Sequence, residues 1–233
     1  MALKRALAQG LWELRQLMRN GEQLLISFVF PIVALVVMSR TAIVSTSAPS
    51  DALAGALAMA VLSSAFSSQA ISLSIDRRYG VLRMFGTTAL GPQGLLAGKA
   101  LAVAAVVTLQ TGVLAALAAG LGIHSNNWPI AVLYLLLGVV VNVSLAVLLG
   151  GTLRAETVIP VANLLWVLML AAGALAPVPA LAWLPPALLG DGLRLALLAP
   201  TPASLDVAPL GLVALAAWGA ALAFAARRAL KWD

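Results

Sequence analysis

The residues able to do chemistry are few and scattered. His124 is the only histidine in 233 residues, and it sits in a polar break, Gly122-Ile123-His124-Ser125-Asn126-Asn127-Trp128-Pro129. A Ser–His or metal site built on it lacks partners nearby. The acids Glu13, Glu22, Asp51, Asp76, Glu156, Asp191, Asp206 and Asp233 are dispersed, mostly at expected helix ends. No aspartate-rich diphosphate-binding run appears, and with no cysteine neither disulfides nor thiolate-held metals are available. Gly94–Lys99 imitates a phosphate loop, which needs G-x-x-x-x-G-K-[ST]. The first glycine would have to be Gln93, and Ala100 replaces the magnesium-holding hydroxyl. The expectation is a chain with no catalytic residue, no metal and no cofactor of its own.

What positions these residues is set by composition. The chain is 62% hydrophobic and 9% charged, with mean hydropathy +1.04, where soluble domains carry about a quarter charged residues. There is too little polar surface to cover a water-soluble globule. A membrane helix needs roughly 20 mostly apolar residues. The charge-free stretches are Leu24–Ser39, Ala52–Ile75, Ala100–Leu153, Thr157–Gly190 and Val207–Ala226. The third is long enough for two spans, divided by the polar break at His124. The expected fold is all-α: a polytopic membrane protein with six transmembrane helices, an N-terminal amphipathic interfacial helix and a cytoplasmic helix between the second and third spans.

The 14 basic residues set orientation. Lys and Arg concentrate in cytoplasmic loops. With the N-terminus inside, Lys4, Arg5, Arg15, Arg19, Arg77, Arg78, Arg83, Lys99, Arg154, Arg227, Arg228 and Lys231 fall on the cytoplasmic side, leaving only Arg40 and Arg194 outside. Both termini are expected inside, in the cell (plasma or inner) membrane. Glu13, Arg15 and Arg19 interrupt any signal-peptide core.

Residues 1–20 form one unit. Leu3, Leu7, Leu11, Leu14 and Met18 share an arc of about 80° at helical pitch, with Lys4, Arg15 and Arg19 beside it. Such a helix lies in the headgroup layer. Trp12, away from that arc, is an interfacial anchor or, with Arg15, a contact with a cytoplasmic partner. In the second span Ser63, Ser67 and Ser74 recur on one stripe, with Ser64, Ser68 and Ser72 beside it. Small residues allow close helix packing; the other reading is a pathway or permease seam, to which Asn163 of the fifth span is added. The remaining span residues Thr108, Gln110, Thr111, Asn142 and Ser144 are polar without being ionisable, which disfavours an ion-coupled carrier. Residues 177–206, broken by six prolines, read as an external re-entrant or surface segment holding a short helix.

The 76–94 loop is amphipathic: Val81, Leu82 and Phe85 alternate with Arg77, Arg78 and Arg83. Its Asp76-Arg77-Arg78-Tyr79-Gly80-Val81-Leu82-Arg83, followed by Leu95-Leu96-Ala97-Gly98-Lys99, resembles the signature region of type 2 ABC transporter permeases, with Ala89 where many members have Pro. The resemblance implies that residues 1–233 are a single transmembrane permease domain of an exporter. It implies a second permease, identical or homologous, and a separate nucleotide-binding ATPase subunit that holds the ATP and Mg. It assigns ATPase coupling to Arg77, Arg78, Tyr79, Gly80, Leu82, Arg83 and Phe85, and it leaves the cargo among drugs, lipids, haem, glycans and peptides. A secondary carrier and a membrane-embedded enzyme or assembly subunit are the alternatives. Membrane lipids, and no nucleic acid, are the other expected contacts.

Overall fold

The computed structural model describes the backbone of residues 2–19, 21–41, 49–86, 91–198 and 202–229, and their side chains except at 2–6, 22–26, 49, 85–86, 91–93 and 202–208. Among the described residues every regular element is helical. In chain order these are α1 (Ala2–Arg19), α2 (Gly21–Arg40), α3 (Pro49–Val61), a π-helical segment (Leu62–Ser67), α4 (Ser68–Arg78), α5 (Val81–Gly86), α6 (Gly91–Gly120) and α7 (Trp128–Thr152). Then come α8 (Ala155–Met169), a second π-helical segment (Leu170–Ala174), a 3-10 turn (Pro179–Leu181), α9 (Pro185–Leu197) and α10 (Pro202–Ala229).

Among the described residues five helices are long and apolar enough to cross a membrane: Ser50–Arg78, Gly94–Gly120, Trp128–Thr152, Ala155–Ala174 and Pro209–Ala229. The Ser27–Arg40 part of α2 is a shorter apolar helix. The span formed by α3 and α4 is the most enclosed, and α10 the least. Small residues explain the first: Ala52, Ala54, Ala56, Ala58 and Ala60 are all buried, so neighbouring helices approach its backbone. Where α7 crosses α4, Gly150 lies against the Ala70 carbonyl, which a Cβ there would meet at 2.6 Å.

The proline-rich segment divides: Pro177, Pro179, Leu181, Trp183 and Leu184 are exposed, whereas the helix that follows is enclosed. Helix α9 buries Ala187, Leu188, Leu189, Leu193, Ala196 and Leu197 and packs between α3, α7 and α10. Its register against α7 is antiparallel. The amides of Asn126 and Asn127 donate to Leu197 and Ala196, Gly192 faces the Tyr134 ring, and Leu189 fills the space at Gly138. Leu189 thus lies ten residues along α7 from its first residue, Trp128, at a depth of about 15 Å. Arg194, expected outside, is 5% exposed. Its guanidinium donates to the Gly173 carbonyl at 2.6 and 3.2 Å and lies 3.5 Å from Asp191. Gly173 has φ 121, a left-handed conformation that favours glycine, so Arg194 covers a carbonyl that the helix break leaves unbonded. At the other end of this segment the Trp218 indole donates to the Trp183 carbonyl at 3.0 Å. Non-helical backbone buried among apolar helices needs a partner such as Arg194 gives the Gly173 carbonyl; the Trp218–Trp183 bond lies at the surface.

Candidate functional site

Helix α1 meets the bundle through polar residues and a glycine pair. Gln9, Gly10 and Glu13 face inward, while Leu7, Leu11 and Met18 of the apolar arc remain about half exposed. The arc is therefore not covered by this bundle. Gly10 and Gly98 allow α1 to lie directly on α6: a Cβ at Gly98 would meet the Gln9 Cβ at 2.8 Å. One residue on, Lys99 is fully buried and its ammonium lies 3.0 Å from Glu13 Oε1. Gln9 Nε2 donates to the same carboxylate at 3.1 Å, and Asp76 Oδ2 is 3.9 Å from the ammonium. Lys99 also reaches Gln69 Oε1 at 3.5 Å. The Leu-Leu-x-Gly-Lys run thus has a structural account: Leu95 is buried, Gly98 admits α1, and Lys99 ties it down. Sequence reasoning counted Lys99 as a loop charge and Glu13 as a scattered acid. The signal was the Gln9/Glu13/Leu17 stripe, four residues apart, beside the apolar arc.

Next to this ion pair opens a cavity of about 550 Å³. Helix α1 contributes Glu13, Gln16 and Leu17; α2 contributes Ser27 and Phe30; α8 contributes Asn163 and Trp166. The second span supplies Ser63, Ser67, Ser68, Ile71, Ser72, Ile75 and Asp76. Ser63, Ser67 and Asn163 are brought together. Ser74 is not: it is 2% exposed and bonds back to the Ile71 carbonyl at 2.7 Å. The π-helical segment is the reason, since a wider turn shifts the register of everything after it, moving the lining from Ser74 to Ser68 and Ser72. The Trp166 indole donates to Ser63 Oγ at 3.3 Å and its ring lies 6.3 Å from that of Phe30. Behind the wall, Gln110 accepts from Ser64 at 3.1 Å and donates to the Ser27 carbonyl at 3.0 Å, linking α2, the π-helical segment and α6.

The loop residues separate into two groups. Arg77 donates to the Gly151 carbonyl at 2.9 Å and Arg78 pairs with Glu156 at 3.1 Å on the surface, so both reach the α7–α8 turn. Gly80, with φ 74, turns the chain into α5, whose Leu82 is 1% exposed. Leu82 therefore holds α5 to its own bundle instead of facing outward. Tyr79, Arg83 and Met84 are exposed; the Phe85 side chain lies outside the described residues. Trp12 and Arg15 sit on the exposed side of α1.

A helical bundle of apolar spans with a helix fastened across one end and an open lined cavity is the architecture of a multi-pass membrane transport protein. The family model for the ABC-2 type transporter matches residues 8–187, and the chain belongs to that family. It is a permease domain of an ABC-type transporter, not a catalytic domain, and the family implies an ATP-binding partner. Comparison with curated proteins and with solved structures gives no match.

Proposed function

We propose that this chain is the six-span permease subunit of an ATP-binding-cassette exporter in the cell membrane, with α2 as the first span and both termini cytoplasmic. It pairs with a second permease and is driven by a separate ATPase, which supplies the bound ATP and magnesium. The observation that carries the reading is the buried Glu13–Lys99 pair. It fastens α1 to the base of α6, so a push on α1 is delivered to the spans, while α5 hands its push to α4, against which it packs. The exposed Tyr79, Arg83 and Met84, with Phe85, Trp12 and Arg15, form the docking face. Arg77, Arg78, Gly80 and Leu82 set the orientation of α5 behind it.

The cavity lined by Ser63, Ser67 and Asn163 belongs to the cargo pathway at the permease seam. Asn163 and Phe30 are exposed on its rim, where an amide facing hydrocarbon is costly and one facing a partner is not. Affinity purification of the tagged chain from its own membranes, in a mild detergent and after amine cross-linking, tests the reading. A nucleotide-binding ATPase recovered in near-equal amount is the expected result. Its absence from cross-linked material overturns the reading.

A further inference from the structure

We propose that the cavity takes an organic cation with an apolar body, held by the Asp76 carboxylate at one end and by Phe30 and Trp166 at the other. This rests on the permease reading and specifies its cargo. Ser63 and Asp76 both line the cavity and lie thirteen residues apart on one span, about 20 Å at helical rise. The site is therefore elongated, with different chemistry at its two ends.

The acidic end carries two carboxylates, Glu13 and Asp76, and among the described residues no lysine or arginine lines the cavity. Lys99 is fully buried behind it and is engaged by Glu13 at 3.0 Å, leaving Asp76 at the longer 3.9 Å. Two acids thus face the cavity at this end, and no basic side chain does among the described residues. Arg77 and Arg78 follow Asp76 in sequence, but they reach the Gly151 carbonyl and Glu156.

The opposite end is apolar and aromatic, and the serines between supply hydroxyls without charge. A bare metal ion does not suit the site. Among the described residues no group of three His, Asp or Glu could hold one, and Glu13 is already committed to Lys99. A bulky cation satisfies both ends at once, because aromatic faces also attract cations.

Tetraphenylphosphonium and tetraphenylborate, matched in size and apolarity and opposite in charge, make the test. Each is titrated against the purified full-length chain in neutral-lipid nanodiscs without ATPase, subtracting protein-free nanodiscs. The phosphonium is expected to bind in excess over lipid and the borate not to. Asp76→Asn should weaken phosphonium binding on the order of tenfold, and Asp76→Glu should restore most of it. Ser67→Leu, which fills the cavity without changing its charge, should also reduce binding. Equal binding of the two ions, preference for the borate, or phosphonium binding unchanged in Asp76→Asn overturns the proposal. Because no ATPase is present, that failure is separate from failure to recover an ATPase partner.

Discussion

The Lys99 ammonium and the Glu13 carboxylate, 86 residues apart in sequence, meet at 3.0 Å with side chains 0% and 4% exposed. Burying two charges is costly, and removing one partner strands the other. Breaking such a pair typically costs about 3–5 kcal/mol, whereas replacing both by apolar residues is often near neutral. Glu13→Gln or Lys99→Met alone should therefore lower the thermal midpoint of the purified chain sharply. The Glu13→Leu/Lys99→Met double variant should recover most of the loss. If the single variants melt like the wild type, the pair does not fasten α1.

Helix α9 makes a second prediction. Gly192 faces the Tyr134 ring with no room for a Cβ, so Gly192→Ala should destabilise by about 1–3 kcal/mol, the usual cost of overpacking. Tyr134→Leu in the same chain should relieve much of that cost, giving a measurable coupling energy between the positions. Additive effects of the two substitutions would place α9 elsewhere than against α7.

Orientation is tested in the natural cysteine-free background. Ser125→Cys, in the break between α6 and α7, should react with an impermeant thiol reagent added outside intact cells. Gly80→Cys should react only after the membrane is opened. The reverse pattern contradicts the twelve-to-two distribution of basic residues as a guide to topology.

The seam prediction concerns Ser63 and Ser67, both on the cavity wall. Leu at either position should block transport or weaken permease pairing while membrane insertion stays normal. Full transport by both variants would remove that stripe from the pathway.

Much of the architecture was legible because lipid imposes a simple code. Long apolar runs must be helices, and the break at His124 duly separates α6 from α7. Less legible was anything set by register or by contacts distant in sequence. The π-helical segment at Leu62–Ser67 leaves no mark that spacing can detect, so Ser74 was grouped with Ser63 and Ser67. Gln69 and Asp76 of α4 lie near Lys99 of α6 only through the tertiary fold. Arg194 was counted as an outside charge, and its burial was not legible because its partner, the Gly173 carbonyl, is backbone exposed by a helix break. Leu82 was grouped with Val81 and Phe85 on an amphipathic stripe. Such a stripe shows which residues share a face, not whether that face meets a partner or its own bundle.

The central claim is that α5 and its flanks transmit the work of an ATPase to the spans, and one measurement addresses it most directly. Tyr79→Ala and Phe85→Ala are made singly and together in the tagged chain, which is then purified from its own membranes. Retained ATPase and its hydrolysis rate are compared with wild type, with Ser125→Cys and Gly80→Cys labelling as the check on insertion. Aromatic anchors commonly carry much of an interface's binding energy, so each substitution should cost on the order of tenfold in ATPase retained, at unchanged topology. Full retention and full hydrolysis in the double variant would contradict the account.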